Sequence, residues 1–303
     1  MKKKVLGIGE VVIDKVHKLA SFPEEGGKVL AQEVEKNLGG PVPAALILLA
    51  RLGVDCVLSA SVGEDESGSI VKKILEKEGV HLLKQTSENT PVHTVLVNAQ
   101  TGSRTIIKDR KATGSLKNIS NELICSMDAI LCDRHEPHAV NEAIKNKRSQ
   151  TPLIMDPSVD CSSQTVQLLK TVEFPIVPVE AVQMLFPHKS LKESTKKLSL
   201  LLEKHVVVTL GKYGSAVYEN TIFTVHPTPS VKVVDTLGAG DIFRGGFAFG
   251  ILNGWDIHRS VQFANNVAAL QCTKLGNSNA IPTKFEIISF QKSITNSSHL
   301  SFI

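Results

Sequence analysis

Val234-Asp235-Thr236-Leu237-Gly238-Ala239-Gly240-Asp241 runs straight into the apolar stretch Ile242 to Asn253, where Phe243, Phe247 and Ile251 recur every four residues and Asn253-Gly254 supplies a stop. Three small residues in succession cannot fill a core, but they let the backbone turn sharply and bring its N–H groups up to a ligand. The helix that follows aims the positive end of its dipole at the same spot, so the turn and the first helical amides together suit a phosphate or an oxyanion. Asp241 is then the odd member, since a carboxylate beside a bound phosphate is repelled. It makes sense as a base that takes the proton from a substrate hydroxyl while the amides hold charge on a transferred phosphoryl group. An ordinary Gly-rich helix start capped by Asp is the competing reading, and the turn alone does not separate the two.

The 303 residues suit one large core with a small appendage. Net charge is +4 with acids and bases interspersed, and aromatic residues make up only 5%, so no basic stripe with stacking rings points to nucleic acid. The cysteines Cys56, Cys125, Cys132, Cys161 and Cys272 are scattered and odd in number, which reads as reduced thiols of a cytoplasmic protein. No stretch reaches membrane-spanning length. The apolar start is broken by Glu10 and Asp14 and reads as a first buried strand, Val5 to Ile13.

Residues 15 to 38 change character, with charged residues alternating with apolar ones in short extended pieces. The pair Pro91 to Asn98 and Ser103 to Lys108, separated by Gln100-Thr101-Gly102, is a hairpin assigned to the same small sheet. Asn37-Leu38-Gly39-Gly40-Pro41 opens a helix that Gly53 closes. Elsewhere strand and helix alternate through Val206 to Leu210, which implies a mostly parallel sheet covered on both faces, with ligands at the carboxyl ends of its strands. Asp14, Gly63, Asp133, Arg134, Asp156 and Gly211 all fall at expected strand ends. The predicted division is a core of residues 1–14, 39–90 and 111–290, a β lid of 15–38 and 91–110, and a flexible polar tail, 291–303.

The Asp-Thr-x-Gly-Ala-Gly-Asp string at 235–241 resembles the C-terminal signature of the ribokinase-like sugar kinases, the PfkB family, and the resemblance extends from Val5 to about Pro282. It implies a ribokinase-like α/β fold: a doubly wound, mostly parallel sheet with a small β-sheet lid. Asp241 is then the catalytic base, and Gly238, Ala239 and Gly240 form the anion hole. Asp14 resembles the carboxylate that grips sugar hydroxyls, and Gly39-Gly40 the backbone that approaches the sugar, although Ala44 stands where the family usually has Asn. Val62 to Gly68 matches a structural turn. Thr209 and Gly211 correspond to the nucleotide-side turn, with Asn265 the candidate in the adenine pocket. Many members hold a monovalent cation, usually potassium, at the positions of Asp235, Leu237 and Gly276.

An Asn-x-x-Glu motif tied to Mg2+ placement is missing, with Val179 and Val182 in its positions. The ketohexokinase and sulfofructose kinase branch departs there too, and it is similar in Gly102 to Ile107, Asp133-Arg134, Lys232 to Thr236 and Ala268 to Thr273. Arg104 and Arg134 are therefore candidates for contacting a ketose or an anionic group on it. The expectation is an ATP- and Mg2+-dependent carbohydrate kinase acting on a primary hydroxyl, with K+ as a possible further cofactor and a homodimer formed through the lid edge. A nucleoside kinase of the same fold is the first alternative, against which Lys108-Asp109-Arg110-Lys111 argues because a base pocket wants apolar residues. The second is a non-catalytic sugar or nucleotide sensor, which the losses at Ala44, Val179 and Val182 would permit. His135 and His138 lack a third ligand at metal spacing.

Overall fold

The structure, a computed structural model, describes residues 2–109, 116, 119–276 and 278–297. The chain begins with β1 (Lys4–Ile8), β2 (Val12–Leu19), β3 (Glu33–Gly39), α1 (Pro41–Arg51), β4 (Asp55–Gly63), α2 (Glu66–Lys77), β5 (Val80–Ser87), β6 (Val92–Asn98) and β7 (Arg104–Ile107). It continues with α3 (Asn121–Ser126), β8 (Ala129–Cys132), α4 (Pro137–Asn146), β9 (Leu153–Met155), α5 (Ser163–Thr171), β10 (Phe174–Pro178) and α6 (Val179–Leu185). The last elements are α7 (Leu191–Leu202), β11 (Val206–Thr209), β12 (Ser215–Glu219), β13 (Ile222–His226), α8 (Ala239–Leu252), α9 (Ile257–Gln271) and α10 (Lys284–Ser297).

Among the described residues the strands form a nine-stranded sheet, ordered β13-β12-β11-β10-β9-β8-β1-β4-β5, and a four-stranded sheet, ordered β3-β2-β6-β7. Pairing is parallel from β11 across to β5, and the β12–β13 hairpin adds antiparallel strands at one edge. Alternate residues of the central strands enter different cores. Val5, Leu131 and Val207 join α1, α8 and α9 on one face, while Leu6, Ile130, Val206 and Val208 join α4, α5 and α7 on the other. That period of two, with both faces apolar, is what a strand buried between helical layers requires. Helix α1 is buried nearly all round and lies so close on β1 that a Cβ at Gly7 would meet Leu46 Cδ1 at 2.5 Å.

The expected strand Val5 to Ile13 is broken. β1 ends at Ile8, the Glu10 amide donates to Asp133 Oδ2 at 2.9 Å, and β2 starts a second sheet at Val12. A Cβ at Gly9 would lie 2.3 Å from the same carboxylate oxygen, so glycine there lets Asp133 take over the strand's hydrogen bonding. Asp14 therefore sits within a lid strand, paired in register with Asn37 of β3 and His93 of β6. Because β2 follows β1, β6 follows β5 and β3 leads into α1, the small sheet is tethered at the carboxyl ends of β1 and β5 and at the start of α1. All four residues of its β7 edge, Arg104–Ile107, are exposed.

Helix α10 keeps residues 291–297 helical, where a flexible tail is expected; 298–303, and Arg110 and Lys111 of the charged lid run, lie outside the described residues. No described helix is long and apolar enough to cross a membrane.

Candidate active site

Helix α8 starts at Ala239, three residues ahead of the apolar run, with Gly238 as its cap at φ 75°. Only glycine adopts that left-handed conformation without cost. Ile242 closes the first helical bond onto the Gly238 carbonyl at 2.9 Å. The amides of Gly240 and Asp241 thus open the helix with no intrahelical carbonyl to bond, in the arrangement that favours an anion.

Asp241 lies in this first turn, and its Oδ1 accepts a hydrogen bond from Arg244 Nη2. Arg244 is 4% exposed, and its Nε lies 3.5 Å from Asp156 Oδ2, just beyond the end of β9. Burial pushes the Asp241 carboxyl up to about 6; the Arg244 guanidinium opposes that rise, and Asp156 adds to it. Asp156 is raised by burial as well, against the pull of Arg244. Arg244 itself is held fully protonated by Asp156 and Asp241 despite its burial. A carboxylate tuned toward neutrality beside unbonded amides is equipped to accept a proton.

On the lid side, Asp14 is 8% exposed and likewise pushed up to about 6, by burial first and then by Glu10, with Lys108 and Arg104 opposing. His93 Nδ1 lies 3.7 Å from Asp14 Oδ1. Gly39 has to be glycine here, because a Cβ would come within 2.4 Å of Asp14 Oδ2. Gly40, at φ 102°, carries the backbone under Glu10, whose carbonyl a Cβ would meet at 2.3 Å. The charge of Arg104 is felt at both Asp14 and Asp241, which brings the exposed lid arginine within electrostatic reach of the two carboxylates.

Behind them Asp133 accepts the His135 amide at 2.9 Å, and His135 Nε2 faces Glu10 Oε2 at 3.6 Å. Burial works against the charged forms of both Asp133 and His135. The pairing of their side chains, His135 Nδ1 to Asp133 Oδ1 at 3.3 Å, nevertheless holds Asp133 below and His135 above its ordinary value.

Other expected site residues fare differently. Arg134 pairs with Asp160, Nη1 to Oδ2 at 3.4 Å. Asn265 is 3% exposed and its Nδ2 donates to Ser215 Oγ at 2.9 Å and to the His226 carbonyl at 3.0 Å. That amide clamps α9 to the β12–β13 hairpin, and both of its N–H donors are taken by those two acceptors. Thr209 ends β11, and Gly211, at φ 56°, opens the turn that follows it. Val182 is fully buried and Val179 packs against the same apolar cluster, so neither position offers an oxygen to a metal. Asp235, Leu237 and Gly276 do come together: Asp235 Oδ1 accepts the Leu237 amide at 2.9 Å and Oδ2 accepts the Gly276 amide at 3.0 Å.

Sequence reasoning missed Arg244. Its signal was present, as a charged side chain in a helix that beyond its first turn is otherwise apolar or glycine, where a charge survives burial only with a partner.

The pfkB family carbohydrate kinase model matches residues 2–284. A ribokinase of Lactococcus lactis subsp. lactis is 27% identical over 299 residues, covering 94% of this chain and 95% of its own. A nucleoside kinase of Methanothermobacter thermautotrophicus is 25% identical, covering 94% of each. Among solved structures, the ribokinase from Thermotoga maritima superposes with a TM-score of 0.84 at 25% identity, covering 95% of this chain and 99% of its own. Arabidopsis thaliana ribokinase complexed with ribose and ATP superposes at 0.82 with 20% identity, covering 96% and 99%, and so speaks to the fold alone. With the family model spanning nearly the whole chain, and a glycine-capped helix start carrying a half-buried carboxylate at its centre, the chain belongs to the pfkB family of carbohydrate kinases, ATP-dependent phosphotransferases that act on an alcohol group.

Proposed function

We propose that the chain phosphorylates the primary hydroxyl of a monosaccharide with MgATP as donor. The observation that carries this is the placement of Asp241 in the first turn of α8, its carboxyl pushed up to about 6 by burial, beside amides that face outward from the helix start. Asp14 and the Gly39-Gly40 backbone orient the sugar, the carboxylate accepting hydroxyl hydrogen bonds with charge assistance. Asp241 Oδ takes the hydroxyl proton as the oxygen attacks the γ-phosphorus, and the Gly240 and Asp241 amides hold the equatorial oxygens. Thr209 and Gly211 line the nucleotide side. Magnesium enters with the nucleotide, since Val179 and Val182 contribute no ligand.

The lid sheet covers the sugar and keeps water from the γ-phosphoryl group. Its exposed β7 edge, with Ile106 and Ile107 at 42% and 57% exposure, supports pairing with a second copy of the chain. A sedimentation run showing only monomer at micromolar concentration would overturn that pairing.

Two substrate classes remain in contest. The ribokinase relatives favour a pentose. Arg104, whose charge bears on both carboxylates, favours a ketose or an anionic derivative such as sulfofructose. The test measures ADP release from MgATP over ribose, fructose, tagatose, sulfofructose, fructose phosphates and nucleosides, beside Asp241→Asn. Turnover on one sugar that collapses in the variant supports the reading. Silence across the panel, in a protein that ATP still stabilises against heat, would instead favour a non-catalytic sensor.

A further inference from the structure

We infer that the side-chain amide of Gln271 takes the place of the monovalent cation that the family resemblance implies beside the anion turn, so that this protein works without potassium. Asp235 is engaged on both oxygens, by the Leu237 amide and the Gly276 amide. The carbonyls of Leu237 and Gly276, which would be the neutral oxygen ligands, both lie 3.4 Å from Gln271 Nε2. A primary amide carries two N–H donors, enough to serve both carbonyls at once. An N–H donor points its positive end where a cation would sit, and hard cations want only oxygens around them. The three residues assemble the cradle, and the fourth fills it.

The local sequence explains how Gln271 arrives there. It is the last residue of α9 and is 1% exposed. The next residue, Cys272, accepts the Val234 amide at 2.8 Å and the Asp235 amide at 3.3 Å, which fastens the end of α9 to the segment leading into the anion turn. Gly276, at φ 93°, bends the following loop back so that its carbonyl faces the helix end. Gln271 thereby ties that loop to Leu237, the residue directly before Gly238. This is the mechanical service a bound cation gives, delivered by an uncharged side chain.

The activity arm of the test rests on the kinase reading above; the stability arm does not. Thermal unfolding and ADP formation are measured in potassium chloride and in tetramethylammonium chloride at matched ionic strength, for the wild type, Gln271→Ala and Gln271→Met. The wild type is expected to melt at the same temperature and to turn over equally in both salts. Gln271→Ala opens the cradle, so potassium should raise its melting temperature saturably and its rate by roughly fivefold or more, the lower range of ordinary ligand coupling. Gln271→Met keeps the volume without the donors, so it should lose stability and not recover it in potassium; it also serves if the alanine variant fails to fold. A wild-type melting temperature that rises saturably with potassium overturns the inference even if no substrate is found. Equal melting temperatures in a protein that phosphorylates nothing would uphold it and count against the kinase reading alone.

Discussion

Replacing Asp241 with asparagine should silence the protein and stabilise it at the same time. The carboxyl is 23% exposed and ionises at about 6 in the folded chain, against 3.8 ordinarily. In the unfolded chain it loses its proton near 3.8, so between that pH and about 6 the folded form binds more protons than the unfolded one. Stability contributed by this group is therefore complete at low pH, falls as pH rises through the window, and is flat above it. At ~1.4 kcal/mol per pH unit the gap amounts to ~3 kcal/mol by neutral pH. Asparagine has nearly the same volume and no titration, and Arg244 keeps Asp156 as its partner. The variant should melt higher by several degrees at pH 8, on the order of 2 °C per kcal/mol for a chain this long. Its advantage should shrink toward pH 5. Turnover should drop by ~10²–10⁴-fold, the usual worth of a general base. Calorimetry from pH 5 to pH 8 on both proteins decides the matter. A variant that melts below the wild type at pH 8, or a difference indifferent to pH, would refute the claim that burial outweighs Arg244 at this carboxyl.

Arg244→Met removes the cation between Asp156 and Asp241, so urea unfolding should report a loss of ~3–5 kcal/mol. Because the guanidinium holds the Asp241 value down, the acid limb of its pH–rate profile should move to higher pH. Gly39→Ala puts a methyl 2.4 Å from Asp14 Oδ2 and should raise KM for the sugar by about tenfold or more, with KM for ATP unchanged. Asn265→Leu should cost ~1–3 kcal/mol by stranding Ser215 and the His226 carbonyl, again without changing KM for ATP; a large rise in that constant would return Asn265 to the nucleotide site.

The turn at 235–241 was legible because everything it needs is local: three small residues, a helix start, and a carboxylate in the first turn. The alternation of strand and helix was legible for the same reason, since each element carries its own period. The β12–β13 hairpin is a missed local signal. Asn220 and Thr221 take φ 48° and 69°, the turn that joins two short strands, and Asn is one of the few side chains at ease there.

What stayed hidden depends on partners far along the chain. The break between β1 and β2 is made by Asp133, 123 residues from the amide it captures, and that break moves Asp14 from the core into the lid. Arg244 becomes intelligible only once Asp156 stands beside it. Asn265 and Gln271 are polar residues on one helix, α9, and sequence spacing gives no hint that both amides are taken up inside the fold. The sequence by itself determined the layered α/β architecture and the glycine turn with a carboxylate in the first turn of its helix, because backbone turning and side-chain periodicity are set within a few residues. Tertiary structure alone decided which charges are buried together and which amides are already bonded, because desolvation and hydrogen bonding depend on groups that meet only after the chain has folded.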